Sequence, residues 1–265
     1  GTISDIVPLV DENRVIAKLG LMLVERTNNI GLKTLIDLCG FKKIDSTTVS
    51  FGLSPRINAC GRLGHADEAL ELFLANNRET TKKLAEKMNE YNSARQQVER
   101  KIYDEAVQEI IMEKDKPAIV IGKEGWHHGV AGIVSSKITD EYFKPSILIC
   151  FDGDEGKGSG RSIPGFDLHE ALMECSEYLE KFGGHSMAVG ITIKKDKFEN
   201  FKKAFIEYTE RKDISEIVPV INIERKVELK DISIENVKEL HQLEPFGEQN
   251  KMPLFLIENL KIVSI

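Results

Sequence analysis

The spacing of apolar residues changes character near residue 117. Before it the pattern is helical. Residues 12–26 (ENRVIAKLGLMLVER) set apolar side chains three and four apart, 31–39 repeat that spacing and stop at Gly40, and 67–74 repeat it again. Residues 79–114 contain no Gly or Pro, and Leu84, Met88, Tyr91, Val98, Ile102 and Ala106 mark one apolar stripe that Arg95 interrupts. This predicts a single helix about 54 Å long, enough to brace two domains.

After Pro117 the period alternates. Strands are predicted at 118–122 (AIVIG), 146–151 (SILICF), after the lead-in KGSGRS (157–162), and at 187–193 (MAVGITI). Between and after them lie predicted helices at 130–143, 167–182 and 196–211, with Asp167 as the N-cap of the second. Strands alternating with helices predict an α/β domain. Residues 213–219 read as a linker. From 220 the chain reads as a strand (INIERKVEL), a short helix (IENVKELHQL) and a further strand (PLFLIENLKIV), the opening of a β-rich domain.

Composition narrows the class. The 265 residues are 30% charged and 41% hydrophobic, with a net charge of −7, as expected for a soluble globular chain with room for two domains. An acidic chain must meet any polyanion with a local cluster of Arg and Lys, and single-strand binding should be weak and salt-dependent. Cys39, Cys60, Cys150 and Cys175 are far apart and form no CxxC pair, which points to buried, reduced thiols in a cytosolic protein. No apolar run approaches a membrane span, and no signal peptide is visible. The chain opens on Gly1-Thr2-Ile3 without an initiator Met and reads as the interior of a protein.

Five stretches carry candidate chemistry. GKGSGRS (156–162) offers a hydroxyl at Ser159, a bare backbone at Gly160 and a guanidinium at Arg161, which suits a phosphate; a glycine-rich strand entry reads equally well. In FGGH (182–185), Gly183 is placed as the residue that stops a helix, and His185 is open as a core histidine, a phosphate contact or a metal ligand. WHHG (126–129) lies between a strand and a helix. Its Trp126 either stacks on a base or anchors the loop, and His127 and His128, adjacent in an extended segment, should point opposite ways. SPRINACGRLG (54–64) is non-periodic, with Arg56 and Arg62 flanking Asn58, an arrangement that suits phosphate contacts. Asp5 sits in an apolar run, where a carboxylate must cap, pair or bind a cation.

In this order, GTISDIVPL, SPRINACGRLG, YNSARQQVE, WHHGVAGIVSSKI, GKGSGRSI, FGGHSMAVG and LEPFGEQN resemble the RecJ-type single-strand exonucleases of the DHH phosphoesterase superfamily. The resemblance runs over nearly the whole chain. It implies an α/β architecture in four parts: the end of a DHH domain (1–76), a long connecting helix (77–115), a small DHH-associated α/β domain (116–212) and the start of an OB fold (213–265). The implied activity is 5′→3′ hydrolysis of single-stranded DNA to mononucleotides with two Mn²⁺ or Mg²⁺ ions, in recombination and repair.

The resemblance also implies residue roles. His185 would face the scissile phosphate. Arg56, Asn58, Arg62, Ser159, Gly160, Arg161, Gly183 and Gly184 would hold phosphates, Arg56 being preferred over Arg62. Trp126 and His127 would line the cleft, and Asp5 would ligate metal. Implied partners are 5′-phosphorylated single-stranded DNA, a single-strand-binding protein and a RecQ-type helicase, for a cytoplasmic monomer. The chain departs from the family in lacking an Asp-His-His, and a DxD motif in the stretch assigned to the DHH domain, so it reads as an internal fragment that does not catalyse alone. Two other readings stand beside this one: a DHH-family phosphoesterase acting on short oligonucleotides or nucleotide phosphates, and a non-catalytic nucleic-acid-binding module.

Overall fold

A computed structural model describes residues 1–261. It divides into two compact units, residues 1–92 with 220–265, and residues 93–219.

In the first unit, helices α1 (Asp11–Glu25), α2 (Ile30–Cys39), α3 (Ser46–Thr48), α4 (Ser54–Leu63) and α5 (Ala66–Leu74) follow one another. Asn29 caps α2 by accepting the Leu32 amide at 2.8 Å, and Gly40 ends it at φ 69°. Leu35, Leu53, Cys60, Ala69, Leu72, Ala85 and Met88 form the core. The stretch 54–63, expected to be irregular, is helical. Pro55 sits in its first turn, where no amide donor is needed, and a π-helical turn at Val49–Leu53 feeds straight into it.

The long helix is α6 (Arg78–Met112), which carries the chain from the first unit into the second. The break between units thus falls inside this helix. The tail returns to the first unit: the Leu9 amide donates to the Glu248 carbonyl at 2.8 Å, and Arg14 donates to the Gln242 carbonyl at 3.0 Å. Within the tail, the expected long strands shrink to a parallel pair, β6 (Arg225–Lys226) and β7 (Phe255–Leu256), with helix α10 (Ile234–Leu240) between them. The end of the expected strand 253–263 lies outside the described residues.

The second unit is a five-stranded sheet, built from β1 (Ile119–Glu124), β2 (Ser146–Asp152), β3 (Glu155–Arg161), β4 (Leu179–His185) and β5 (Ala188–Lys194). The spatial order is β1-β2-β3-β5-β4, with only β1 and β2 parallel. Helix α7 (His128–Tyr142) packs across β2 and β3 on one face; α8 (Leu168–Glu174) and α9 (Phe198–Arg211) cover the other, where Ile147, Ile149, Val189, Ile191, Phe201 and Phe205 make the core.

The expected helix 167–182 is a correction. Asp167 does cap it, accepting the Glu170 amide at 2.9 Å, but α8 ends at Glu174. Residues 179–185 then become strand β4, because β5 offers a pairing edge that no local periodicity reveals. Gly183 therefore lies inside a strand and stops no helix.

Candidate phosphate-binding face

Strand β3 reads Glu155-Gly-Lys-Gly-Ser-Gly-Arg161, with glycine at every second position. Side chains alternate across a strand, so all three glycines share a face. That face is the core: a Cβ at Gly156, Gly158 or Gly160 would come within 2.6, 2.7 or 2.8 Å of Phe151, Ile191 or Val189. The glycines let the large residues of β2 and β5 close over β3. Lys157, Ser159 and Arg161 project to the opposite face.

That opposite face has a regular layout across three strands. Arg161 pairs with Ala188, and Ala188 with His185; Ser159 pairs with Gly190, and Gly190 with Gly183; Lys157 pairs with Thr192, and Thr192 with Lys181. Each set forms one rung, and Arg161 and His185 are about 10 Å apart at Cα across two interstrand spacings. Gly183 and Gly190 are exposed, and a Cβ at Gly183 would touch nothing within 4 Å. The middle rung is thus a bare backbone floor beside one serine hydroxyl, with a guanidinium and an imidazole at the next rung. His185 is exposed and its Nδ1 accepts the Met187 amide at 3.3 Å, so it is not a core histidine.

One wall of this face is α7. Buried hydroxyls seat it: Ser146 Oγ lies 2.7 Å from both Ser135 Oγ and Thr139 Oγ1. One turn earlier, Gly132 lies against β3 so closely that an added Cβ would be 3.2 Å from Arg161 Nη2 and 3.4 Å from Ser159 Oγ. Arg161 Nη1 also donates to the Gly160 carbonyl at 2.8 Å, which lays the guanidinium along the strand.

The WHHG stretch forms the N-terminal end of α7. His127 is its N-cap, with Nδ1 accepting the Gly129 amide at 3.2 Å. Its imidazole stacks on that of His128, centroids 5.3 Å apart and 8° from parallel, so the two rings do not point opposite ways. The helical conformation that begins at His128 brings them together. Burial first, and then the neighbouring His128, hold the His127 pKa below its usual value.

Trp126 is a second correction. It is only 6% exposed, and its indole N–H donates to Glu105 on α6 at 2.9 Å. It anchors the loop and presents no ring face to a base. Lys123 completes the arrangement with an ion pair to the same carboxylate at 2.9 Å.

The remaining expected residues lie in the first unit. Arg56 is half-buried, its Nε donating to Asn89 at 3.0 Å and Nη1 to the Gly52 carbonyl at 2.8 Å. Asn58 and Arg62 are exposed four apart on α4 and share a helix face. Asp5 is exposed in a turn whose amide donates to the Gly1 carbonyl at 2.9 Å. Among the described residues no three His, Cys, Asp or Glu come together as a cation site. One carboxylate does not hold a divalent ion, so these residues do not fit a metal pair by themselves.

Sequence reading missed Lys157, Lys181, Gly190 and Gly132. The period-two pattern of β3 could have yielded Lys157, but the other three need the register of β4 on β5 or the seat of α7.

Comparison with known proteins places the family of the chain. Residues 115–211 match the DHHA1 domain family and residues 223–265 the RecJ OB domain family. The single-stranded-DNA-specific exonuclease RecJ of Bacillus subtilis is 41% identical over 98% of this chain, which covers 34% of that relative. The crystal structure of RecJ in complex with Mn²⁺ from Thermus thermophilus superimposes with a TM-score of 0.87 at 30% identity, covering 97% of this chain and 38% of that one. The Mg²⁺ complex of RecJ from the same organism gives 0.85 at 30% identity, covering 96% and 40%. The chain spans about a third of the length of the first of these relatives. With a DHHA1 domain, a RecJ OB match and this likeness along nearly its full length, the chain belongs to the RecJ family.

Proposed function

We propose that this chain supplies the phosphate-holding face of a 5′→3′ exonuclease that degrades single-stranded DNA to mononucleotides in recombination and repair. The observation that carries the reading is the shared face of Ser159, Arg161 and His185 around the bare floor of Gly183 and Gly190. Arg161 has a planar fork that matches two phosphate oxygens, and the Ser159 hydroxyl donates a third hydrogen bond. His185, one interstrand step beyond Ala188, is within one nucleotide's reach of that phosphate and would orient the scissile one or neutralise its charge. The floor lets the sugar-phosphate chain lie against the strands without meeting a side chain.

Divalent metal would supply the activated water, as expected from the RecJ complexes with Mn²⁺ and Mg²⁺. Asp5 would contribute one carboxylate, and the residues described here do not complete that site. The chain alone is therefore read as binding without hydrolysing. The OB match at 223–265 favours this reading over a small oligonucleotide phosphoesterase, because an OB fold is a single-strand grip.

The test is fluorescence anisotropy at low salt with labelled single strands that differ only in a 5′-phosphate. The wild type should prefer the phosphorylated strand, and Arg161→Ala should reduce that preference by roughly 10- to 100-fold. Equal binding of both strands by both proteins would reject the terminal-phosphate role.

A further inference from the structure

We propose that Lys157 and Lys181, with Thr192 between them, form a second phosphate subsite that takes an internal phosphate of single-stranded DNA. The inference extends the reading of Ser159, Arg161 and His185 just given, and adds a contact that no motif marks.

Register places it. Lys157 is opposite Thr192, and Thr192 is opposite Lys181, so both lysines stand on one rung. Residues 157, 159 and 161 of β3 share a face by alternation, as do 181, 183 and 185 of β4. The lysine rung therefore opens onto the same face as Arg161 and His185, about 13–14 Å away along β3. Only the Ser159–Gly190–Gly183 rung lies between, and two of its three members have no side chain. On the β3 side α7 stands over Ser159, but over β5 and β4 a strand passing from one rung to the other meets only the exposed backbone of Gly190 and Gly183.

Charge supports the assignment. Both lysines are exposed, in a chain whose net charge is −7. The carboxylate on this face of β3 is Glu155, one rung further out and in register with Lys194. With Arg161, the lysines concentrate positive charge on one face of an acidic protein, as a polyanion requires. The residue types also divide the work. An arginine fork suits a terminal phosphate held in one orientation, whereas an ammonium on a flexible stem tolerates the varied geometry of an internal phosphodiester.

The experiment is a salt titration of the 265-residue chain, comparing wild type with Lys157→Ala/Lys181→Ala. The probes are labelled oligothymidylates, a dinucleotide and a strand of about 12 nucleotides, each with and without a 5′-phosphate. For the longer strand, the double variant should bind about 5- to 10-fold more weakly at low salt, and its slope of log K against log salt should be shallower by about 0.7 to 1. Binding of the dinucleotide and the preference for a 5′-phosphate should be unchanged, and Lys157→Arg/Lys181→Arg should restore the slope. An unchanged slope and affinity with the 5′-phosphate preference intact overturns the lysine subsite alone. A shallower slope in a protein that never prefers a 5′-phosphate keeps the subsite and removes the terminal-phosphate reading. A loss equal for the short and the long strand also overturns the subsite, since only the longer one reaches from one rung to the other.

Discussion

Ser159 and Gly183 occupy one rung of the sheet, with Gly190 between them, so a hydroxyl and two stretches of bare backbone face the same side. One residue along, Gly160 and Gly184 flank Val189 on the next rung; buried Gly160 faces core side chains, while exposed Gly184 would drive a Cβ into the backbone of β5. The glycines therefore separate into two groups with different reasons to be glycine. Gly160 and Gly184 are required by packing and backbone geometry, while Gly183 has no neighbour that would object to a methyl group.

That separation is measurable. Gly184 has φ 137°, and a Cβ there would lie 2.2 Å from the Ala188 carbonyl oxygen. Gly184→Ala should cost about 2–4 kcal/mol, from backbone strain and the displaced hairpin. Gly183→Ala should change stability by less than about 1 kcal/mol, since strand glycine is itself unfavourable. Urea denaturation of the two variants checks this. Equal loss in both would contradict the register of β4 on β5.

The sequence made some of this visible. The Gly-Lys-Gly-Ser-Gly-Arg alternation is a period of two, which marks a strand with glycines on one face and functional groups on the other. In a phosphate loop the same glycines would serve the ligand; the partners Ile147, Ile149, Val189 and Ile191 show that they serve the core. Strand β4 was hidden because Leu179 and Phe182 have helical spacing and no breaker precedes Gly183; only pairing with β5 decides the matter. The role of Trp126 was equally hidden, since its partner Glu105 is 21 residues away on another element.

The Trp126–Glu105 contact predicts a pH dependence. The indole N–H and then the Lys123 ammonium hold the Glu105 carboxyl below its usual 4.5. A depressed folded-state pKa adds stability that is full above the unfolded value and is lost as the pH falls through the lowered one. Trp126 is the one tryptophan of the chain, so its fluorescence reports this contact directly. An acid titration should show an emission change below about pH 4.5 that is absent in Glu105→Gln. Persistence of that change in the variant would assign it to another group.

The thiols offer a separate check on the core of both units. Burial pushes Cys150 and Cys175 up to about 11, and raises Cys60 and Cys39 as well. Because the thiolate is the reactive form, all four should react slowly with an aromatic disulfide reagent at about pH 8 in the native protein. In guanidinium all four should react at the rate of free cysteine. Half-buried Cys39 should lead among the native thiols, and fast native reaction at Cys150 would mean that β2 is not enclosed as described.

The seat of α7 gives the last prediction. Glycine inside a helix is unfavourable relative to alanine by about 1 kcal/mol, so Gly132→Ala should raise helix stability if nothing opposes it. Here the added methyl would stand 3.2 Å from Arg161 Nη2 and 3.4 Å from Ser159 Oγ, and the buried hydroxyls of Ser135, Thr139 and Ser146 keep α7 from backing away. The guanidinium tip is the softest neighbour, so it should shift by a few tenths of an ångström while the fold holds. Gly132→Ala should then keep or raise Tm, yet lower the 5′-phosphate preference about three- to tenfold, the size of coupling seen between side chains in contact. In an Arg161→Lys background, which lacks Nη2, the same substitution should lose most of that effect. A lowered Tm, or an equal effect in both backgrounds, would make Gly132 a packing residue of α7 alone.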